Sequence, residues 1–120
     1  MAKRWIKIWI PEMLRGTIRF DLTAEERGVW LDLLLMAGES RNEGFIAPNE
    51  RQPYPDAWIA ATLNLPLKLL QRVIQKCEDT QRIERTDRGL HILNWTKYQS
   101  EYERQKKYRL PLGKGETVTR

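Results

Sequence analysis

The sequence predicts a mainly α domain with a small β wing: a winged helix-turn-helix, with a three-helix core, a short antiparallel sheet and a C-terminal helical extension. Three observations predict it. Two short amphipathic stretches, about 55–63 and 66–79, are separated only by Asn64 and Leu65, a corner tight enough for a helix-turn-helix. A hairpin signal follows at once, with Arg82–Thr86 and Leu90–Trp95 flanking Asp87-Arg88-Gly89. A strongly apolar helix precedes them from about Ala24 to Ala37.

The elements follow in order. Residues 5–10, Trp-Ile-Lys-Ile-Trp-Ile, alternate as a strand does, with Ile6, Ile8 and Ile10 on the core side and Trp5, Lys7 and Trp9 opposite. Pro11 ends it. Two indoles facing outward predict either a homodimer or higher oligomer formed through this strand, or a cover supplied by a helix over 96–109. Thr23-Ala24-Glu25-Glu26 is a capping box, and Gly38 is a plausible stop for the helix it opens. Trp30, Leu33, Leu34 and Ala37 lie on that helix's inner side, widened by Leu31, Leu35 and Met36. Phe45-Ile46-Ala47 reads as a short strand closed by Pro48. Pro48, Pro53 and Pro55 make the next stretch a structured connector. Pro55 and Pro66 open the second and third helices, and Asn64 suits a left-handed residue between them. The third helix buries Leu70, Val73, Ile74 and Cys77, the i, i+3, i+4, i+7 stripe of a helix packed on one side.

Composition narrows the function. A chain of 120 residues fits one domain. The expected division is 1–95 as a winged-helix DNA-binding domain, 96–109 as a basic helical extension, and 110–120 as a tail or the start of a linker. One Cys excludes an intramolecular disulfide and one His excludes His-pair metal motifs. No run of residues is apolar enough to span a bilayer, and Lys7, Pro11 and Glu12 interrupt any signal-peptide core, so the expected setting is cytoplasmic. No catalytic constellation, metal site or cofactor motif is legible, and the chain is not expected to be an enzyme. Net charge is +5 and polarised: −3 over residues 23–43, +2 over 65–95 and +4 over 96–120. That asymmetry suggests a polyanion against the basic half.

Duplex DNA is the expected partner. With Leu70 inward, the third helix presents Lys68, Arg72, Gln75 and Asp79 outward, with Gln71 and Lys76 at the flanks. Lys and Arg suit phosphate and guanine, and Gln suits adenine. The hairpin tip offers Arg85 and Arg88, though Glu84 and Asp87 could neutralise them. Beyond it, Lys97, Arg104, Lys106, Lys107 and Arg109 are interleaved with Tyr98, Tyr102 and Tyr108, either as an arm along DNA or as a helix whose tyrosines pack on the core or on a partner. Four to five phosphate contacts would give a log-affinity against log-salt slope of about −4. A transcriptional regulator with the same fold, or a protein–protein adaptor, are the alternatives. The DNA reading depends on the cationic and amide-bearing side of the Pro66 segment projecting into solvent; that surface occluded by the protein's own chain, or flanked by carboxylates, would overturn the reading.

Several motifs together carry a resemblance. Trp5-Ile6-Lys7, Ala37-Gly38, Asn42-Glu43-Gly44-Phe45-Ile46, Pro53-Tyr54, the helix-turn-helix and Asn94-Trp95-Thr96-Lys97-Tyr98-Gln99 resemble the N-terminal domain of phage replisome organisers, relatives of DnaD-type primosomal proteins. The likeness covers roughly residues 4–109, and residues 11–29 depart from its pattern. It implies a winged-helix domain that binds origin DNA, often followed by a second domain that recruits helicase. No such domain lies before Arg120, so a replication helicase or its loader would be reached only through a C-terminal domain missing here.

Overall fold

A computed structural model of the chain describes residues 5–48 and 52–99. It is mainly helical with one small antiparallel sheet. Two short helices, α1 (Ile10–Arg15) and α2 (Thr17–Asp21), lead into the long α3 (Ala24–Ser40). Strand β1 (Phe45–Ile46) follows, then α4 (Asp56–Leu63), α5 (Leu67–Asp79), β2 (Ile83–Thr86) and β3 (Gly89–Ile92). The sheet order is β1-β3-β2, with Phe45 opposite His91 and Ile83 opposite Ile92. Residues 95–99 are helical again. The rest of the expected 96–109 helix and the 110–120 tail lie outside the described residues.

Local chemistry accounts for the middle of the chain. Thr23 Oγ1 accepts from the Glu26 amide at 3.2 Å and Glu26 Oε1 accepts from the Thr23 amide at 2.9 Å, closing the capping box on α3. Asn64 ends α4 in the left-handed region, φ 58°, and the chain turns straight into α5. The core lies between α3, α4, α5 and the inner face of the sheet. Leu33, Ile46, Ile59, Leu70, Ile74 and Ile83 are fully enclosed there.

The N-terminus departs from the sequence reading. Residues 5–9 form no strand, and Pro11 sits in the first turn of α1 instead of ending a strand. Proline's fixed φ and missing N–H suit a helix start, and a strand without a partner has no ladder to join. The faces change with it. Ile10 is 71% and Trp5 68% exposed, and Ile8 also reaches solvent, whereas Ile6, Lys7 and Trp9 are half-buried. The strand through which a homodimer was expected is therefore absent. Trp9 donates its indole N–H to the Tyr98 carbonyl at 3.2 Å and meets the Tyr98 ring edge-on, so the helical turn at 95–99 covers this indole and leaves Trp5 open.

Gly38 is not the stop of α3. The helix runs on to Ser40 and ends at Arg41, φ 53°. Gly38 makes room for Ile6, whose Cγ2 lies 2.5 Å from where a Cβ would stand. On the outer side of α3, Leu31 and Leu35 are exposed, so the buried stripe is narrower than the sequence suggested.

A side-chain amide holds the N-terminal segment in place. Gln99 Oε1 accepts from the Lys7 amide at 2.9 Å, and Gln99 Nε2 donates to the Lys7 carbonyl at 3.1 Å. Each such bond contributes about 1 kcal/mol net. Gln99→Ala is expected to raise the hydrogen-exchange rate of the Lys7 amide about tenfold or more while leaving α5 amides protected. Unchanged exchange at Lys7 would show that the segment is held by packing alone.

Candidate nucleic-acid interface

Helix α5 has a sharply divided surface. Leu69, Leu70, Val73, Ile74 and Cys77 face the core, and Lys68, Gln71, Arg72 and Gln75 are exposed, with Lys76 at the boundary. The structure thus brings all five sequence-predicted residues of this helix to one surface. Pro66 is the N-cap, without a side-chain capping bond. Gln75 donates to Asp79 Oδ1 at 2.9 Å, one turn along. No ion pair involves Lys68 among the described residues.

Arg72 and Lys76 are engaged by a carboxylate that the sequence reading had assigned only to the cap of α3. Arg72 Nε donates to Glu26 Oε2 at 2.7 Å, and Lys76 Nζ to Glu26 Oε1 at 2.8 Å. The Glu26 side chain is 2% exposed, and the two cations lying across it are 51% and 40% exposed. The Lys76 ammonium, the Thr23 amide and the Arg72 guanidinium together outweigh the effect of burial and bring the Glu26 carboxyl down to about 2. Glu25 adds a looser, exposed contact, 3.6 Å from Arg72 NH2. Carboxylates therefore do flank part of the expected DNA-facing side, the condition set against the DNA reading: Glu26 and Glu25 engage Arg72 and Lys76, and Asp79 accepts from Gln75, while Lys68 stays in solvent without an ion pair among the described residues.

The hairpin residues are also partnered. Arg85 makes a two-pronged pair with Asp56 at the start of α4, 3.0 and 3.1 Å, and the bond to Asp56 raises its already high pKa. Glu84 and Asp87, the neutralisers suggested by sequence, are not the partner. Arg88 lies 4.2 Å over the Phe45 ring, which stacks on His91 at 4.1 Å and 11°. A cation on an aromatic face keeps its charge. Lys97 is exposed, 5.7 Å over the Tyr98 ring. Lys106 and Lys107 lie outside the described residues. The hairpin residues and Lys97 thus stand on other elements than the α5 face.

Glu26 and Asp56 are the residues that sequence reasoning missed. The capping box announced Glu26, but nothing local announces partners 46 and 50 residues away. Cys77 is fully enclosed and burial pushes its thiol up to about 11, far from the thiolate a reactive cysteine needs. Among the described residues no three His, Cys, Asp or Glu side chains gather as metal ligands, and no helix is long and apolar enough to cross a membrane.

The motif residues behind the resemblance meet in space. Gly44, φ 96°, packs under Trp95; Gln99 grips Lys7; and Ile6 lies over Gly38. They form a brace around the core and stand apart from the α5 face. Neither the curated proteins nor the solved structures held a match to the chain. The pattern of one family does match, over residues 24–112, leaving out α1, α2 and the N-terminal segment that the resemblance had included. Covering well over half of the chain, from the start of α3 past the helical turn at 95–99, this match establishes that the chain belongs to the N-terminal phage replisome organiser family and is related to phage replication.

Proposed function

We propose that this chain is the DNA-binding winged-helix domain of a phage or prophage replication-initiation protein, acting in the cytoplasm by positioning duplex DNA and without any covalent step. In this reading α3, α4 and α5 are the three-helix core, β2 and β3 the wing, and β1 the third strand beside β3. One observation carries it: a single face of α5 holds Lys68, Gln71, Arg72 and Gln75 in solvent, directly after a tight helix-turn-helix corner. A helix about 10–12 Å across fits the major groove, and these side chains are the types that reach phosphates and base edges.

The ion pairs alter the expected strength. Lys68, Arg88 and Lys97 are the predicted contact cations without a carboxylate partner among the described residues. Three phosphate contacts from these cations alone give a slope of log affinity against log salt near −3. The test is an anisotropy titration against random duplex, single strand and origin DNA at two salt levels. The expected result is duplex binding with that slope, falling to about −2 in Lys68→Ala. Absence of any salt-dependent duplex binding would overturn the reading.

A second reading, a protein–protein adaptor of the replication machinery, has its own observation. The outer side of α4 carries Ala57, Trp58, Ala61 and Thr62 and no charge, with Trp58 exposed and stacked on Tyr54 at 4.0 Å. Exposed aromatics of this kind suit a protein surface better than a phosphate backbone. Retention of a helicase or initiator by the chain, without salt-dependent DNA binding, would favour it.

A further inference from the structure

The Glu26 carboxylate lies beneath the α5 surface, and its contacts fix the geometry of the residues above it. Arg72 gives Glu26 only its Nε edge, at 2.7 Å. The guanidinium is planar with its donors in a rigid fork, so anchoring Nε directs the terminal NH1/NH2 edge away from the buried acceptor. Half of the Arg72 side chain remains in solvent. Among the described residues the other carboxylate near it is Glu25, 3.6 Å from NH2 and itself 69% exposed, a pair too exposed to hold the fork strongly. Lys76 is tied at 2.8 Å to the other oxygen of Glu26, so the same carboxylate removes one ammonium from the attraction this surface exerts on phosphate.

Resting on the DNA-binding reading above, we propose that Glu26 is a positioning residue for sequence readout. It holds Arg72 from the protein side so that the outward edge of the guanidinium is presented to the O6/N7 acceptor pair of a guanine, and it damps indiscriminate binding by neutralising one positive charge of the Arg72–Lys76 pair. An arginine held on one side reaches a base with less rotamer freedom to lose, and a neutralised surface gains less from counterion release on any sequence. Glu26 thus favours discrimination over raw affinity.

The test uses the full chain, a duplex carrying the tightest-binding sequence selected from a random pool, and a scrambled duplex of the same composition, titrated at about 50 and about 200 mM salt. Glu26→Gln frees one cation. It is expected to tighten binding to the scrambled duplex about 5- to 10-fold at the lower salt and to steepen the salt slope by about 0.9. The selected-to-scrambled affinity ratio is expected to fall about 5- to 100-fold, the range of one bidentate base contact. The scrambled-duplex gain reads the neutralisation and the fall in the ratio reads the positioning; damage to the fold would lower affinity for both duplexes. Arg72→Lys keeps the charge, loses the fork and leaves Glu26 in place; it is expected to lose the same ratio, and it decides the question if Glu26→Gln does not fold. A wild-type chain that binds duplex with no sequence preference overturns the proposal and leaves the DNA-binding reading intact. So does a Glu26→Gln or Arg72→Lys chain that is folded and has the wild-type ratio. A wild-type chain that binds no duplex overturns both.

Discussion

Glu26→Gln is expected to lower the unfolding free energy by about 3 kcal/mol at pH 7, and that deficit is expected to shrink toward zero as the pH approaches 2. The size follows from the carboxyl, whose pKa lies near 2 in the folded chain against 4.5 unperturbed. Each unit of such a shift corresponds to about 1.4 kcal/mol of linked stability. The Lys76 ammonium is the largest contributor, followed among the favourable ones by the Thr23 amide and the Arg72 guanidinium; burial opposes all three. Glutamine preserves size and an acceptor oxygen for the cap, but it loses the charge that both cations face. The sign is fixed by the direction of the shift. A folded pKa below the unfolded one means that the unfolded chain takes up the proton first on acidification. The contribution is full above about pH 4.5 and is lost progressively as pH falls toward 2. Urea midpoints of wild type and Glu26→Gln at pH 7, and at several steps down to pH 2.5, measure the gap. A gap that stays constant over that range would mean that the carboxylate stabilises by shape and hydrogen bonding, and not through its charge.

How much of the molecule was legible beforehand follows from how local each signal is. The capping box, the Asn64 corner and the i, i+3, i+4, i+7 stripe of α5 all act within a turn or two of chain, and each formed where the sequence placed it. The Trp-Ile-Lys-Ile-Trp-Ile alternation is equally local, yet a strand needs a neighbour. The sheet closes as β1-β3-β2 without it, and Pro11 nucleates a helix in its place. Helices α1 and α2, of six and five residues, are too short for periodicity to announce them. Gly38 carries the usual mark of a helix end, but the requirement it meets comes from Ile6, more than thirty residues earlier.

The candidate site divides in the same way. Which α5 side chains face outward could be read from the helical period alone. Which of them keep their charge free could not, because Glu26 and Asp56 reach Arg72, Lys76 and Arg85 only through the tertiary fold. A formal count of cations along a helix is therefore an upper bound on the charge it offers a polyanion. Here the bound falls from five basic side chains on α5 and the β2–β3 hairpin to Lys68 and Arg88 as the two without carboxylate partners among the described residues.

Gly44→Ala is the second substitution with a large expected effect, about 3 kcal/mol or more of lost stability. Gly44 has φ 96°, outside the range an L-residue adopts without strain. A Cβ there would stand 2.5 Å from Trp95 Cβ, 2.9 Å from Trp95 Cγ and 3.1 Å from the Ile92 carbonyl oxygen. Backbone strain of this kind costs about 1–3 kcal/mol, and overpacking a closed site adds a comparable amount. Neither neighbour has room to yield. Trp95 is buried in the core, and the Ile92 amide donates to the Gly44 carbonyl at 2.9 Å, tying the two backbones together. Trp95 also opens the helical turn that carries Tyr98 and Gln99, so its displacement is expected to loosen the grip on Trp9 and Lys7 as well. Gly28→Ala is the matched comparison: the same added methyl, on the exposed side of α3, with nothing within 4 Å of the new carbon. It is expected to stabilise by about 0.5–1 kcal/mol, the helix preference of alanine over glycine. Thermal midpoints of the two variants should therefore move in opposite directions from wild type, and a Gly44→Ala chain as stable as Gly28→Ala would show that the Gly44–Trp95 approach is not a constraint on the fold.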